Sequence, residues 1–296
     1  MHEHSSILVT GALGFVGLHV ARAARDAGLR IRTHSRLPTP GIDFCADLSD
    51  PAAVHGLPWE TISGVIHCAA AIPSVSDAFA RDNTRSAAVL AKALLDAKLL
   101  RRIVHVSSIA VYRPAATADW LISEQAEVID ATDDSDDSYA HSKRKVEIAL
   151  DGVAAQRSEV SACHLRASSI YGPGMVGTTL LPTLVRHARQ NQPLTLRGPR
   201  AYRQNFVHVK DVAALAITMV HEATDWSEPV LNAFSDDTYG LFELADAVRT
   251  TTGSSSPIVD QTEDISCPVP SFENARAKRH YPRFRELRGH LQEVTA

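Results

Sequence analysis

Residues 7–20 read Ile7-Leu8-Val9-Thr10-Gly11-Ala12-Leu13-Gly14-Phe15-Val16-Gly17-Leu18-His19-Val20. Residues of buried-strand character run into three glycines spaced by three, and an apolar, alanine-rich helical pattern continues to about Gly28. The physical reading is a strand, a tight turn and a helix whose first N–H groups face a phosphate. Gly11 permits the turn, Gly14 removes a side chain where a pyrophosphate must approach the backbone, and Gly17 lets the helix pack closely on its strand. Gly11, Leu13, Gly14, Phe15 and Val16 are therefore the candidate dinucleotide cradle. An ordinary glycine-rich connection shares the spacing; the strand before it and the helix after it are what favour the dinucleotide.

Outward from this unit, strand and helix patterns alternate, which predicts an α/β fold: a Rossmann-type, doubly wound parallel sheet covered on both faces. Strands are expected over 29–34, 42–46, 64–70, 102–108 and 160–167, with helices over 86–98 and 139–155. Residues 113–138 read as a polar loop. Its acidic run Asp133-Asp134-Ser135-Asp136-Asp137 reads as solvated chain rather than a cation site. Further on, helices are expected over 180–190, 212–221 and 243–251, and strands over 193–196 and 204–209. The expected organisation is a nucleotide domain of residues 1–170 plus 204–232, with a small interwoven C-terminal substrate lobe of 171–203 plus 233–296.

With 296 residues, 45% of them hydrophobic, the chain has material for a large core or a core plus a lobe. A net charge of -4 without a basic run argues against nucleic acid. Cys45, Cys68, Cys163 and Cys267 lie far apart without metal-ligand spacing, and read as reduced thiols of a cytoplasmic protein. The fourteen histidines are scattered, so no metal is expected. Met1-His2-Glu3-His4 lacks the basic and apolar regions of a signal peptide. No apolar run approaches the ~20 residues of a membrane span.

The second informative stretch is Tyr139-Ala140-His141-Ser142-Lys143. Residues four apart share a helical face, so Tyr139 and Lys143 can enter one cleft. A free phenol, with a pKa near ~10, is a poor base at neutral pH. A neighbouring ammonium favours the phenolate, which makes Tyr139 a usable proton donor and acceptor. Ser108, at the end of the fifth expected strand, lies where an open α/β sheet binds ligands. Spacing alone fits a surface Tyr–Lys pair on an amphipathic helix better.

Taken together, these motifs resemble the extended short-chain dehydrogenase/reductases, the group that includes nucleotide-sugar epimerases. The resemblance runs through most of the chain: the glycine turn, His67-Cys68-Ala69-Ala70, Asn83, Val106-Ser107-Ser108-Ile109-Ala110-Val111-Tyr112, Tyr139 to Lys143, Leu165-Arg166, Ile170 to Gly174, and Asn205 to Val212. It implies a catalytic triad of Ser108, Tyr139 and Lys143, with Ala69 and Ala70 beside the cofactor. Tyr139 would move the proton, Ser108 would stabilise the substrate oxygen, and Lys143 would also hold the nicotinamide ribose. Ile109 and Ala110 stand where the family's dehydratases carry an Asp-Glu pair, and neither transfers a proton. No added Cys or His base accompanies the serine. Simple redox at one carbinol remains.

Nicotinamide cofactor choice is read at the end of the second strand, where an acidic residue would bind the ribose and repel a 2′-phosphate. Here stand Ser35 and Arg36, a neutral donor and a guanidinium suited to a phosphate dianion, so NADP(H) is expected ahead of NAD(H). Asp47, with Leu48, is a candidate for the adenine edge, and fits a helix cap as well. At the substrate end, Ser168 and Ser169 replace an expected asparagine. Gln204 replaces an expected arginine, with Arg203 one place earlier and hence on the other face of a strand. The expected activity is an NADP(H)-dependent ketoreductase or dehydrogenase acting on a small-molecule carbonyl or alcohol, sugar-like or of secondary metabolism. The alternatives are a nucleotide-sugar 4-epimerase with tightly held cofactor, and a non-catalytic nucleotide sensor. A homodimer through the helices around 86–98 and 139–155 is implied by the resemblance alone.

Overall fold

The computed structural model describes residues 5–73, 78–115, 119–132, 138–222 and 228–295. Strand β1 (Ser6–Thr10) is buried at every position, as a central parallel strand covered on both faces must be. It enters the glycine turn and then helix α1 (Phe15–Asp26). Next come β2 (Ile31–Ser35), a two-residue β3 (Phe44–Cys45), α2 (Pro51–His55) and β4 (Ile62–His67). A π-turn over Ala80–Arg85 leads into α3 (Ser86–Asp96), followed by β5 (Arg102–Ser108), β6 (Asp119–Ile122) and α4 (Tyr139–Gln156). Strands β7 (Ser161–Ala167) and β8 (Ser169–Tyr171), helix α5 (Leu180–Arg189), strands β9 (Leu194–Pro199) and β10 (Arg203–His208), and helix α6 (Val209–Ile217) continue the chain. It closes with β11 (Val230–Ala233), β12 (Thr238–Gly240), α7 (Leu241–Thr252), β13 (Ile258–Glu263), β14 (Val269–Phe272) and the short helices α8 (Ala275–His280), α9 (Leu287–His290) and α10 (Gln292–Thr295).

The main sheet has seven parallel strands in the order β11-β7-β5-β4-β1-β2-β3. Strand order reverses between β1 and β4, and an open parallel sheet binds ligands at the carboxyl ends beside such a reversal. Side chains alternate between faces. Val9, Ile66 and Val104 therefore pack with Val20 of α1 and Val212 and Ala216 of α6. Leu8, Val65 and Ile103 turn the other way onto Leu90 and Leu94 of α3 and Val146 and Leu150 of α4. A separate apolar cluster joins Leu184 of α5, Leu194, Leu196, Phe206, Tyr239, Leu244 and Leu287. It sits under two small sheets, β12-β10-β8 and β13-β9.

Several elements differ from the sequence reading. The polar loop expected over 113–138 contains β6, which pairs in parallel with β14. Its apolar triplet Trp120-Leu121-Ile122 finds its partner about 150 residues further on, beyond the reach of local periodicity. The fourth strand ends at His67, leaving Cys68 to Ala70 as irregular chain over the crevice. Strand β10 joins β8 and β12 in a small sheet, and β11, which completes the main sheet, had no distinct signal. The acidic run 133–137 and residues 1–4 lie outside the described residues.

Candidate active site

The glycine turn is held by backbone sterics. Gly11 has φ +66°, and a Cβ there would lie 2.7 Å from Ala69 Cα. A Cβ on Gly17 would fall 2.2 Å from the Gly11 carbonyl oxygen, so the third glycine packs on the turn itself. Thr10 Oγ1 accepts hydrogen bonds from the N–H groups of Cys68 and Ala69, both at 3.2 Å, and ties the exits of β1 and β4 together. Gly14 caps α1 without a side-chain acceptor, and no acidic residue occupies the first turn. The helix N-terminus thus offers N–H groups and positive dipole to an anion. Residues Leu13, Phe15 and Val16 lie on this turn. The cradle fits a dinucleotide pyrophosphate.

At the end of β2, the buried Ser35 Oγ accepts the Leu37 N–H at 3.2 Å. The Arg36 guanidinium donates to Asp82 at 2.7 Å, and Asp82 also receives Arg81 at 2.6 Å. Arg32 is occupied by Asp43. The Asp47 carboxylate accepts the Ser49 N–H and hydroxyl, which lowers its pKa, and the charges of Arg36 and Arg81 act in the same sense. Leu48 is buried in the core, while Ala69 and Ala70 are half-buried beside the turn.

Ser108 ends β5 and caps a 3-10 turn over Ile109–Val111, its Oγ accepting the Ala110 N–H at 3.2 Å. Tyr139 opens α4, which Ser138 caps. The Ser108 hydroxyl faces the Tyr139 phenol closely enough to favour its ionised form. Lys143, one turn along, is buried, and its Nζ donates to the Val106 carbonyl at 2.8 Å. Burial raises the Tyr139 pKa, opposed by Ser108. The expected lowering by the ammonium is absent, since Lys143 is not among the groups that act on the phenol; burial lowers Lys143 itself to about 8, against the pull of Cys68 and Glu147. Asn83 joins the two halves of the site. Its Oδ1 accepts the Ala71 N–H at 2.7 Å, and its Nδ2 donates to the Ala71 carbonyl and to Ser142 Oγ on α4.

Behind this pair lies a buried ionic knot. Arg166 donates to both Glu147 oxygens, at 3.0 and 2.8 Å, and Ser107 Oγ donates to Glu147 at 2.6 Å. Arg144 adds a contact at 3.0 Å, and the Arg166 guanidinium stacks over the Tyr112 ring. Burial alone would raise the Glu147 carboxyl; Arg166, with help from His164 and Ser107, holds it down at about 2. The knot locks β5, β7 and α4 in register, so the strand end bearing Ser108 and the helix bearing Tyr139 move as one body.

A cavity of about 400 Å³ opens beside the Ser108–Tyr139 pair, and Ile109, Ala110, Ser138 and Ala140, their chain neighbours, line it. Ser168, Ser169, Arg203 and Gln204 all reach it. The Ser168 hydroxyl is buried and has no partner among the described residues, as does Asn205 Oδ1. Gln204 donates through Nε2 to Ser169 Oγ. Arg203 is engaged by the Thr238 carbonyl at 2.9 Å and by Glu243 at 3.1 Å. The far wall, Trp120, Ile122, Pro270 and Phe272, comes from the β6–β14 pair and escaped the sequence reading. The one available signal was the apolar triplet at Trp120. A larger concavity of about 590 Å³, around Ile7, Gly64, Arg102 and Val220, lies at the opposite, amino-terminal edge of the strands. Among the described residues no cluster of His, Cys, Asp and Glu is arranged to hold a metal, and no helix is long and apolar enough to cross a membrane.

The sequence profile of the NAD dependent epimerase/dehydratase family matches residues 7–233, which include the turn, the Ser108–Tyr139 pair and Lys143. The chain belongs to that family. A dTDP-4-dehydro-6-deoxy-D-allose reductase of a Streptomyces species is 23% identical, over 89% of this chain and 86% of the relative. A trifunctional UDP-glucose 4,6-dehydratase/UDP-4-keto-6-deoxy-D-glucose 3,5-epimerase/UDP-4-keto-L-rhamnose-reductase of Arabidopsis thaliana is 23% identical over 75% of this chain, which spans only 36% of that longer protein. Among solved structures, MoeE5 in complex with UDP-glucose and NAD has a TM-score of 0.80 at 24% identity, covering 98% of this chain and 97% of that one. Epimerase Mth375 from Methanothermobacter thermautotrophicus has a TM-score of 0.83 at 18% identity, covering 99% and 92%. The family match bears out the resemblance to extended short-chain dehydrogenases/reductases, and the solved structures bear out the Rossmann-type sheet.

Proposed function

We propose that this chain is an NADP(H)-dependent ketoreductase or dehydrogenase acting at one carbonyl or carbinol carbon of a sugar-like or secondary-metabolite substrate. The observation that carries the reading is the Ser108–Tyr139 hydroxyl pair beside a cavity of about 400 Å³, with buried Lys143 one helical turn behind. Similarity to the Streptomyces reductase supports the reductive direction. When bound, the nicotinamide supplies or accepts the hydride. The chain's own residues do the rest. Tyr139 passes its proton to the substrate oxygen or takes one from it, and Ser108 donates a hydrogen bond to the same oxygen. Lys143 holds the nicotinamide ribose. Ser168, Ser169, Gln204 and Arg203 hold the remaining polar groups of the substrate, the unpartnered Ser168 hydroxyl first among them.

Gly11, Leu13, Gly14, Phe15, Val16, Ala69 and Ala70 would hold the dinucleotide backbone, with Asp47 and Leu48 at the adenine. Selection of NADP(H) rests on Ser35 and Arg36. For this the Arg36 guanidinium exchanges Asp82 for a 2′-phosphate, a swap eased because Asp82 keeps Arg81 as partner. Residues 1–170 with 204–232 serve as the cofactor-binding part and 171–203 with 233–296 as the substrate lobe. The assembly is a cytoplasmic homodimer through α3 and α4, where Ile148 is exposed. The test is Tyr139→Phe: nicotinamide nucleotide binding stays at the wild-type level while turnover of keto-sugar probes falls about 10²–10⁴-fold, the usual worth of a positioned general acid. Unimpaired turnover would end the assignment.

A further inference from the structure

Three histidines stand side by side across the main sheet. His67 of β4 is paired in register with His105 of β5, and His105 with His164 of β7. All three are buried, on the sheet face covered by α4. A ring in this position is costly unless its nitrogens are satisfied. His164 Nε2 meets Asp151 Oδ1 at 2.9 Å, and His164 Nδ1 meets His105 Nδ1 at 3.3 Å. Asp151 is 48% exposed, whereas the His164 side chain is 1% exposed, so the contact leads from solvent into the core.

A carboxylate only accepts, so His164 donates to Asp151 from Nε2, and in that tautomer its Nδ1 is an acceptor. His105 must then donate from Nδ1, which turns its Nε2 into a buried acceptor. That Nε2 has no partner among the described residues. The residue after His105 is Val106, whose carbonyl holds the Lys143 ammonium. The line therefore ends on an unfilled acceptor, on a ring that feels the charge of the Lys143 ammonium.

We propose that Asp151, His164 and His105 form a proton path between the protein surface and Lys143. It rests on the proposed oxidoreductase reading and adds to it a proton exchange between Tyr139 and Lys143. Oxidation of a carbinol breaks its C–H bond, delivers the electron pair as hydride to the oxidised nicotinamide, and leaves the O–H proton on the tyrosine oxygen. From there it passes to Lys143, and the Lys143 proton moves to His105 Nε2. The His105 Nδ1 proton shifts to His164 Nδ1, and the His164 Nε2 proton to the Asp151 carboxylate, which releases it to water. Reduction runs the same sequence inward. Lys143, Arg166 and His67 face His105, and burial with these neighbours holds its pKa far below the usual value. His105 therefore hands on one proton as it receives another and does not accumulate charge. His67, hydrogen-bonded with Thr10 Oγ1 at 2.9 Å, lies off this route.

The experiment uses the full chain with ¹⁵N-labelled histidine. Solvent exchange of the His105 and His164 ring N–H protons is compared in wild type and Asp151→Asn, a half-exposed position whose change leaves the core intact. The path predicts ready exchange in wild type and exchange roughly tenfold slower in the variant, the effect of about 1.4 kcal/mol on the transfer barrier. His164→Phe should slow His105 likewise. Exchange that is equally slow in wild type and in Asp151→Asn overturns the proposal. A second readout uses NADPH with dTDP-4-keto-6-deoxyglucose as probe. Asp151→Asn should keep the first-turnover hydride step but lose steady-state rate, which imidazole buffer restores; loss of both without rescue also overturns the path. If wild type reduces no ketone, the reductase reading fails while ring exchange still decides the path.

Discussion

Replacing Glu147 by leucine removes the anion that neutralises Arg166 in the core. The Arg166 side chain is 5% exposed and Glu147 is 0% exposed, so the guanidinium left behind cannot recover its hydration. Breaking such a pair costs about 3–5 kcal/mol, because it strands an uncompensated charge. Ser107 loses its acceptor as well, whereas Arg144, nearer the surface, turns outward. At about 2–4 °C per kcal/mol for large domains, the melting temperature falls by roughly 6–20 °C. The double variant Glu147→Leu/Arg166→Met removes both charges and recovers most of that loss, since a buried pair and an apolar replacement are often equivalent in free energy. Urea unfolding of the wild type, Glu147→Leu, Arg166→Met and the double variant closes the cycle. A single variant within 1 kcal/mol of wild type, or a double variant as poor as the sum of the singles, would refute the reasoning. The pH dependence has a defined sign. The folded-state pKa of Glu147 is depressed, so the stability it contributes is fully present above about 4.5 and is lost as pH falls through about 2.

Further expectations follow from the same geometry. Arg36→Ala should weaken NADPH binding, with little effect on NADH, whereas Asp82→Asn should favour NADPH by freeing the guanidinium; calorimetric titration that finds no change in the NADPH:NADH ratio for either would remove Arg36 from the phosphate site. Gly17→Ala should abolish dinucleotide binding and lower the melting temperature, because its Cβ would occupy the Gly11 carbonyl; a variant that binds normally would show that the turn has slack. The reduction rate should hold level below pH 8 and fall above it, as Lys143, lowered to about 8, gives up its charge while the raised Tyr139 phenol keeps its proton. A profile that rises through pH 8 would exclude a charged Lys143 from the working state.

The cofactor end was legible because its information is local. Gly14 and Gly17 both pack on the Gly11 carbonyl and Gly11 needs a positive φ, demands made within the turn itself, and the unbroken apolar run Ile7 to Val9 reports a strand buried on both faces. The Tyr139–Lys143 pair was half legible: its four-residue spacing is helical geometry, but the desolvation that reverses the expected pKa shift depends on what covers the helix. The substrate wall was not legible. Trp120 and Phe272 meet through a strand pairing between distant segments. Likewise, Arg203 is committed to Glu243, an ion pair of distant residues that no spacing rule anticipates. The histidine row belongs to the same class, since His67, His105 and His164 look scattered until sheet register aligns them.

The most direct test of the whole account is cofactor bookkeeping. The purified chain is incubated with NADPH and a panel of keto-sugars, nucleotide-linked and free, while nicotinamide absorbance and alcohol product are followed together. The account predicts one NADPH oxidised for each alcohol formed, with NADH a poorer donor. Isomerised sugar formed with no net change in nicotinamide would contradict it and establish the epimerase chemistry instead.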